Sequence, residues 1–521
     1  MGTLRSLLAL ARAGWVLARE GVISALPAEG MPPAARTAHR LSSLVARRRA
    51  LDRARSERLS IALNRLGPSW VKLGQFLATR PDVVGAAIAG DLELLQDAMP
   101  PFATAAARRR VEQSLGRPVE EVFGSFGEPV AAASIAQVHR ATRRRDGRPV
   151  AVKVIRPGVR ARFMGDLDTF YAAARLQERH VPAARRLRPV AVVDTLRQSA
   201  RIEMDLRLEA AALSEMAENT AGDPGFRVPA VDWELTGRDC LTMDWVDGIK
   251  LTDFTALTAA GHDPRQLAAT LVQSFLRHTL RDGFFHADMH PGNLFVDEHG
   301  DIVAVDLGIM GRLGRKERRF LAEILHGFIT RDYPRVARVH FEAGYVPRRH
   351  SVASFAQAIR AIGEPIHGQP AETISMARLL TLLFEVTELF DMQTRPELIL
   401  LQKTMVVVEG VARRLDPAFN MWSTAEPVVG DWIRRNLGPA GMLEDAAEGL
   451  RAAGELARTL PQLAEQAETL ALSFERMARD GMRLDEETVA AIGRAEARRA
   501  RWGNVALWAI ALIAFFAVFL R

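Results

Sequence analysis

Two acids and an amide have the types and spacing that phosphoryl transfer requires. In Phe284-Phe285-His286-Ala287-Asp288-Met289-His290-Pro291-Gly292-Asn293 an Asn follows an Asp by five residues. A second acid, Asp306, follows Asn293 by thirteen residues at the end of the apolar run Ile302-Val303-Ala304-Val305. Moving a phosphoryl group needs one carboxylate beside the attacking oxygen and further oxygen donors holding Mg²⁺ against the phosphates. Asp288 is therefore the candidate catalytic residue, with Asn293 and Asp306 as candidate metal ligands.

Iron chemistry competes for the same residues, because His286, Asp288 and His290 offer two imidazoles and a carboxylate. The downstream Asp306-Leu307-Gly308 decides for phosphoryl transfer. Two Glu-x-x-His strings, Glu323 to His326 and Glu364 to His367, have the form used in di-iron sites. Pro365 interrupts the second, and matches this short are usually ordinary helix residues.

An Asp and Asn on one loop, followed by Asp-x-Gly after a short strand, is the order found in protein kinases, and it directs attention upstream. Pro149-Val150-Ala151-Val152-Lys153 ends a predicted strand, the place for a Lys that contacts nucleotide phosphates, which makes Lys153 the second catalytic candidate. Glu209, in Arg207-Leu208-Glu209-Ala210-Ala211, stands where its helical partner belongs, and the long separation between the two implies an insertion. A glycine-rich phosphate loop is expected before the Lys strand, but Ala131-Ala132-Ala133-Ser134-Ile135-Ala136-Gln137-Val138 contains no Gly. Alanine still presents its amide, yet its Cβ restricts φ and crowds a phosphate.

The elements that must position these residues are legible in outline. Leu66-Gly67-Pro68-Ser69-Trp70 is turn chemistry opening a short helix, and 104–115 predicts an amphipathic helix with Thr104 as its N-cap. Alternation predicts strands at 129–132, 137–141 and 149–155, with Asp146-Gly147 as a turn. A long helix is expected over 195–218, strand character over 233–246 with a turn at Gly237, and helix over most of 257–281. Strands first, helices later and the catalytic loop between them predict an α+β, two-lobed protein-kinase-like fold. The chain from 315 to 501 reads as almost wholly helical, and no internal repeat is evident.

Composition bounds the class. A chain of 521 residues, 48% apolar, suits two or more structural units. The single cysteine, Cys240, excludes a disulfide framework and a cysteine-rich metal site, which fits a reducing cytoplasm. A net charge of +7 serves nucleic acid, anionic lipid or phosphates equally well. Residues 502–520 carry no charge and as a helix would span about 28 Å, close to a bilayer core of about 30 Å. Arg494, Arg498, Arg499 and Arg501 precede that stretch and only Arg521 follows, so the expectation is a C-terminal transmembrane helix with the bulk of the chain cytoplasmic. At the other end, Arg5, Arg12 and Arg19 line one stripe of a periodic helix that either lies on an anionic membrane surface or packs on the domain.

Taken together, these residues resemble the UbiB family of atypical kinase-like proteins, also called the aarF or ABC1 family, whose members support ubiquinone biosynthesis. The resemblance runs from about Leu66 to Leu313. It rests on Lys-x-Gly-Gln at Lys72, Gly74 and Gln75, on Thr79-Arg80-Pro81-Asp82, and on Leu95-Gln96-Asp97 with Pro100-Pro101. The Ala-rich loop, Lys153, Glu-x-Asp at Glu203 and Asp205, Glu209, Asp288, Asn293 and Asp306 complete it. Leu307 replaces the more usual Phe, and Asp244 stands where Glu is common. Relatives often end in two membrane helices, whereas one is readable here.

The resemblance implies ATP and Mg²⁺ as cofactors, with nucleotide contacts from Ala131, Ala132, Ala133, Ser134, Ile135, Ala136, Gln137, Val138, Lys153, Glu209, Met243 and Trp245. It further implies an autoinhibitory clamp in which the Lys72, Gly74, Gln75 segment is tied to Glu203 and Asp205. The expected organisation is an amphipathic helix at 1–30, a helical extension at 31–123, an N-lobe at 124–245 and a helical C-lobe at 246–440. An Ala-rich helical segment at 441–501 and an anchor at 502–521 follow. The expected role is ATP hydrolysis or small-molecule phosphorylation at the inner (cytoplasmic) membrane, making polyprenyl-phenol quinone precursors accessible. Expected partners are the membrane, those lipids and ubiquinone biosynthesis enzymes, with a homodimer as one expectation for assembly. A nucleotide-regulated scaffold or lipid chaperone is the alternative. Polyprenylphenol hydroxylation enters only as a pathway-level name, since no Gly-x-Gly-x-x-Gly fingerprint occurs. Nucleic acid is not an expected partner, because no aromatic-basic module accompanies the charge.

Overall fold

Apolar residues recur at helical spacing in the first hundred residues and alternate in the next fifty, and the computed structural model follows that change of period. It describes residues 2–25, 39, 42–78, 80–93, 95, 99–180, 188–366, 386, 389–392 and 396–438. Residues 1–434 make one compact unit, and of the second, 435–521, only the first four residues are described. The segment 441–501, the expected anchor at 502–521 and Thr79, Gln96 and Asp97 lie outside the described residues. Among the described residues no helix is long and apolar enough to cross a membrane.

The helices of eight or more residues before the first sheet are α1 (Gly2–Arg19), α2 (Arg55–Leu66), α3 (Pro68–Ala78), α4 (Ala86–Glu93) and α5 (Thr104–Leu115). Strands β1 (Phe123–Ala132), β2 (Ala136–Arg143) and β3 (Pro149–Ile155) follow, then α6 (Val159–His180), α7 (Pro189–Glu203) and α8 (Leu206–Thr220). After β4 (Phe226–Arg227), β5 (Cys240–Asp244) and β6 (Ile249–Lys250), α9 (Pro264–Arg277) leads to short strands β7 (Phe284–His286), β8 (Leu294–Val296), β9 (Ile302–Ala304) and β10 (Met310–Arg312). Helices α10 (Arg315–Ile329), α11 (Tyr333–Glu342), α12 (Val352–Gly363), α13 (Pro396–Leu415) and α14 (Met421–Leu437) complete the described part.

The first sheet is antiparallel, ordered β1-β2-β3-β5, and β3 sorts its side chains by parity. Val150, Val152 and Val154 enter one core with Ala107 and Val111 of α5, while Ala151 and Ile155 face the larger core with Phe163, Leu167 and Leu213. Side chains in a strand alternate faces, so Lys153 shares the parity of Ala151 and Ile155 and is aimed at the larger-core side. Cys240 is buried in the smaller core, and burial raises its thiol pKa. A second sheet, β4-β9-β8-β6, and the pair β7-β10 carry the catalytic-loop region.

Several sequence expectations are corrected in detail. Helix 195–218 is two helices, α7 and α8, broken at Met204 because Asp205 caps α8 and its side chain accepts from the Arg207 amide at 3.3 Å. Thr104 is not an N-cap: Ala103 takes that position without a side-chain bond, and the Thr104 hydroxyl donates to Glu128 instead. Strand character over 233–246 reduces to β5, preceded by a single 3₁₀ turn at Trp233–Leu235. Strand β1 starts at Phe123, earlier than expected, and as an edge strand with register shifts it tolerates Pro129. The insertion between Lys153 and Glu209 is α6 and α7.

Gly67 adopts φ +112° between α2 and α3, a conformation that favours glycine and lets the chain reverse there. Gly74 serves packing instead: a Cβ there would lie 2.6 Å from Leu95 Cδ1 and 2.7 Å from Leu63 Cδ1, both buried. Substituting Gly74→Ala should therefore push α3 away from α2 and lower unfolding stability by about 1–3 kcal/mol. Denaturant unfolding of the full chain reads this, and an unchanged midpoint would refute the packing account.

Candidate nucleotide and metal site

Lys153 Nζ lies 2.6 Å from Glu209 Oε1 and 3.0 Å from Asp306 Oδ2, so one ammonium joins the first sheet, helix α8 and the chain leaving β9. Burial by itself would lower the Lys153 pKa, but the Asp306 and Glu209 carboxylates raise it well above the ordinary lysine value. Burial pushes Glu209 up, with Lys153 offsetting part of that effect. Asp306 is held down at about 2: desolvation opposes ionisation, and the Lys153 charge and the Gly308 N–H, 3.1 Å from Oδ1, outweigh it.

Helix α8 must be placed accurately for Glu209 to reach Lys153, and both its ends are tied down. At the start, Asp205 caps it and the Leu206 amide donates to the Arg238 carbonyl at 3.1 Å. Near the end, Arg281 donates to the Asn219 carbonyl at 2.7 Å and to Asp223, while Arg312 of β10 grips Glu215 through two nitrogens.

The catalytic loop leaves β7, whose His286 pairs with Met310. Ala287 donates to the Ile309 carbonyl at 3.0 Å, Asp288 to His286 Nδ1 at 3.2 Å, and His290 to the Asp288 carbonyl at 2.7 Å. Because Nδ1 of His286 accepts, a neutral ring carries its proton on Nε2, and burial lowers its pKa. A 3₁₀ turn, Pro291–Asn293, enters β8, and antiparallel pairing of Leu294 with Ala304 brings the two strand ends together. Val305 donates to the Asn293 carbonyl at 3.1 Å, which sets Asn293 beside Asp306.

The Asp306 carboxylate and the Asn293 amide are the oxygen-donor types that suit Mg²⁺, which takes few protein ligands and leaves the rest to phosphates and water; the Asp306 side chain is 42% exposed. The competing iron readings have their ligands used elsewhere. His286 and His290 both accept backbone amides through Nδ1, so the neutral rings carry their proton on Nε2 and present no free lone pair there, and Glu323 is paired with Arg319 and Arg335. Among the described residues there is no group of three or more His, Cys, Asp or Glu that could hold a metal. His367 lies outside the described residues.

The Ala-rich segment is the tip of the β1–β2 hairpin, with Ala132 paired to Gln137 and Ala131 to Val138. Its turn is closed by the Ala133 amide on the Ala136 carbonyl at 2.8 Å. Ser134, Ile135, Ala136 and Gln137 are buried, and the Gln137 amide is committed to the Phe102 backbone at 2.9 and 3.1 Å. Arg156 adds a bond to the Ala133 carbonyl at 3.0 Å and one to Pro100 at 3.1 Å, and its amide donates to Ile135. Gln137 and Arg156 therefore pin the hairpin to the Pro100-Pro101-Phe102 segment, a role that nothing in the sequence assigned to Arg156. At the exit of β5, Met243 is buried in the larger core, and the Trp245 indole donates to Asp247 at 2.8 Å beneath Arg140.

Lys72 is buried and paired with Glu203, whose carboxylate is near enough to raise the Glu209 pKa further. Asp205 stands apart from that pair: it binds Arg207 through both oxygens, at 2.9 and 2.7 Å, and Arg238 lies beside it. The expected contact of Asp205 with Lys72 is therefore replaced by helix capping. Gln75 is half-buried on α3.

A lysine on the third strand paired with a helix glutamate, followed by a catalytic loop and an Asp-x-Gly turn, defines an atypical kinase-like protein with a helix-rich C-terminal part. Comparison with known proteins agrees: the ABC1 atypical kinase-like domain matches residues 94–340, and the UbiB helical domain matches residues 359–420. A probable protein kinase UbiB of Marinobacter nauticus is 41% identical over 79% of this chain and 76% of its own length. One from Aeromonas hydrophila is 40% identical over 86% of this chain and 83% of its own. The chain belongs to the UbiB family. A solved structure from Mycobacterium tuberculosis, of Rv3197 with erythromycin, is 25% identical, covers 68% of this chain and 90% of that one, and has a TM-score of 0.48.

The two acids of Glu-x-Asp should separate on substitution. Asp205→Ala removes a helix cap and should cost about 1 kcal/mol, leaving Lys72 in place. Glu203→Gln strands the Lys72 ammonium and should cost more, about 3 kcal/mol. Equal losses in urea unfolding would contradict this division of roles.

Proposed function

We propose that this protein binds ATP and uses it in Mg²⁺-dependent phosphoryl transfer, to water or to a small acceptor, in support of ubiquinone biosynthesis. The observation that carries the reading is the contact of Lys153 with both Glu209 and Asp306, next to Asn293 and the Asp288 loop. Lys153 binds the nucleotide phosphates from the first sheet, and Glu209 keeps its ammonium aimed. Asp288 orients the attacking hydroxyl or water and accepts its proton. Asn293 and Asp306 would hold Mg²⁺, which would supply charge neutralisation for the phosphate oxygens. The acceptor class, a polyprenyl-phenol or related quinone precursor, comes from the family resemblance and from the uncharged segment 502–520.

A second reading, a nucleotide-regulated scaffold, is supported by the closed arrangement around the site. Lys72 is paired with Glu203, and the Ala-rich tip is tied to Phe102 and Arg156. In this reading the Lys-x-Gly-Gln helix acts as the clamp, through Lys72 and Glu203. Measuring nucleotide turnover with and without membranes or phenolic precursor analogues, while following the γ-phosphate, separates the two.

Asp306→Asn keeps the shape and removes the metal-binding carboxylate, so Mg²⁺-dependent turnover should fall by at least about a hundredfold. Full turnover in that variant would overturn the phosphoryl-transfer reading. Membrane attachment is proposed to come mainly from 502–520, with the exposed face of α1, including Leu8 at 65% and Trp15 at 54% exposure beside Arg12 and Arg19, as a second contact. Deleting 502–521 should release most of the protein from membranes in a flotation assay. Complete retention would move the anchor to α1 or to partner proteins.

A further inference from the structure

The catalytic loop also touches a helix more than a hundred residues later in the chain. Thr404, midway along α13 and within the UbiB helical domain, is 1% exposed, and its hydroxyl donates to the Ala287 carbonyl at 2.8 Å. Ala287 lies between His286 and Asp288, so that carbonyl belongs to the peptide unit leading directly into the proposed catalytic carboxylate. The other backbone bonds of this turn stay within residues 286–309: the Ala287 amide goes to Ile309, the Asp288 amide to His286, and the His290 amide to the Asp288 carbonyl. Ala287 and Met289 are 2% and 1% exposed and share a core with Leu401 and Val408 of α13. Solvent is thus kept from the carbonyl, and a lost hydroxyl would leave it without a replacement partner.

We propose that Thr404 is a positioning residue for phosphoryl transfer, orienting the 287–288 peptide so that the Asp288 carboxylate meets the acceptor; this rests on the function proposed above. It gives the helical domain a task beyond packing, that of bracing the catalytic loop from behind. The competing account is local. The same hydroxyl lies 2.9 Å from the Leu400 carbonyl, and a helical Thr often bonds four residues back. One proton serves both acceptors, so the two accounts differ in whether the loop responds when the hydroxyl is removed.

Wild type, Thr404→Val and Thr404→Ser distinguish them through two readouts: steady-state ATP turnover with Mg²⁺, and amide hydrogen exchange of the 284–294 segment. Val keeps the branched shape without the hydroxyl, and Ser keeps the hydroxyl. The expected result for Val is a fall in kcat of about 10- to 100-fold, with KM for ATP changed by less than about 2-fold and faster exchange in 284–294. Ser should restore most of both. Unchanged exchange and kcat in Val, or a Ser variant that behaves like Val, overturns the proposal. If Val does not fold, Thr404→Ala also lacks the hydroxyl and takes its place with the same outcomes. Absence of turnover in wild type would instead overturn the phosphoryl-transfer reading, while the exchange comparison still decides whether Thr404 holds the loop.

Discussion

An ammonium group held away from bulk water between two carboxylates is the constraint around which the described structure is arranged. Lys153 approaches Glu209 and Asp306 within hydrogen-bonding distance, and the three residues come from strand β3, helix α8 and the end of β9. Breaking a buried pair leaves an uncompensated charge, at a cost of about 3–5 kcal/mol. The elements that carry the three residues must therefore be held in place. The cap at Asp205, the grip of Arg281 on the end of α8 and the Arg312–Glu215 pair serve that requirement. Both ends of α8 are thus bonded to neighbouring elements.

The same need for fixed geometry explains the less usual parts. A glycine-rich loop would leave the β1–β2 tip free to settle on phosphates, whereas the alanine tip is bonded to its surroundings through Gln137 and Arg156. The Lys-x-Gly-Gln helix sits close because Gly74 has no side chain to collide with Leu63 and Leu95. From the same helix Lys72 pairs with Glu203 of α7, six residues before Glu209 and in its electrostatic range. The helical domain contributes through Thr404, which reaches the 284–293 loop, and beyond that domain Trp432 of α14 donates to the Leu280 carbonyl at 2.7 Å.

Local chemistry alone brought out much of this. The strand over 149–155 was legible in the sequence, and in the folded sheet parity puts Lys153 on the opposite face from Val152 and Val154. Asp288, Asn293 and Asp306 were grouped by their kinase-like order and spacing, and the structure joins Asn293 to Asp306 through the antiparallel pair β8 with β9. Helix boundaries were less legible. The segment 195–218 has helical composition throughout, and only the competition of the Asp205 side chain for backbone amides breaks it.

Identity and short-range spacing were enough to give the family and the kinase-like order of strands and helices, and to nominate Asp288, Asn293 and Asp306 for the proposed phosphoryl transfer. Tertiary structure decided which acid pairs with which base. Asp205 and Glu203 are two residues apart and both carry carboxylates, yet one caps a helix and the other meets Lys72, which the folded position of α3 brings to it. Thr404 carries no motif, and its contact with Ala287 spans 117 residues. Such contacts arise from how helices and sheets pack in three dimensions, and a one-dimensional pattern of polarity holds no record of that packing.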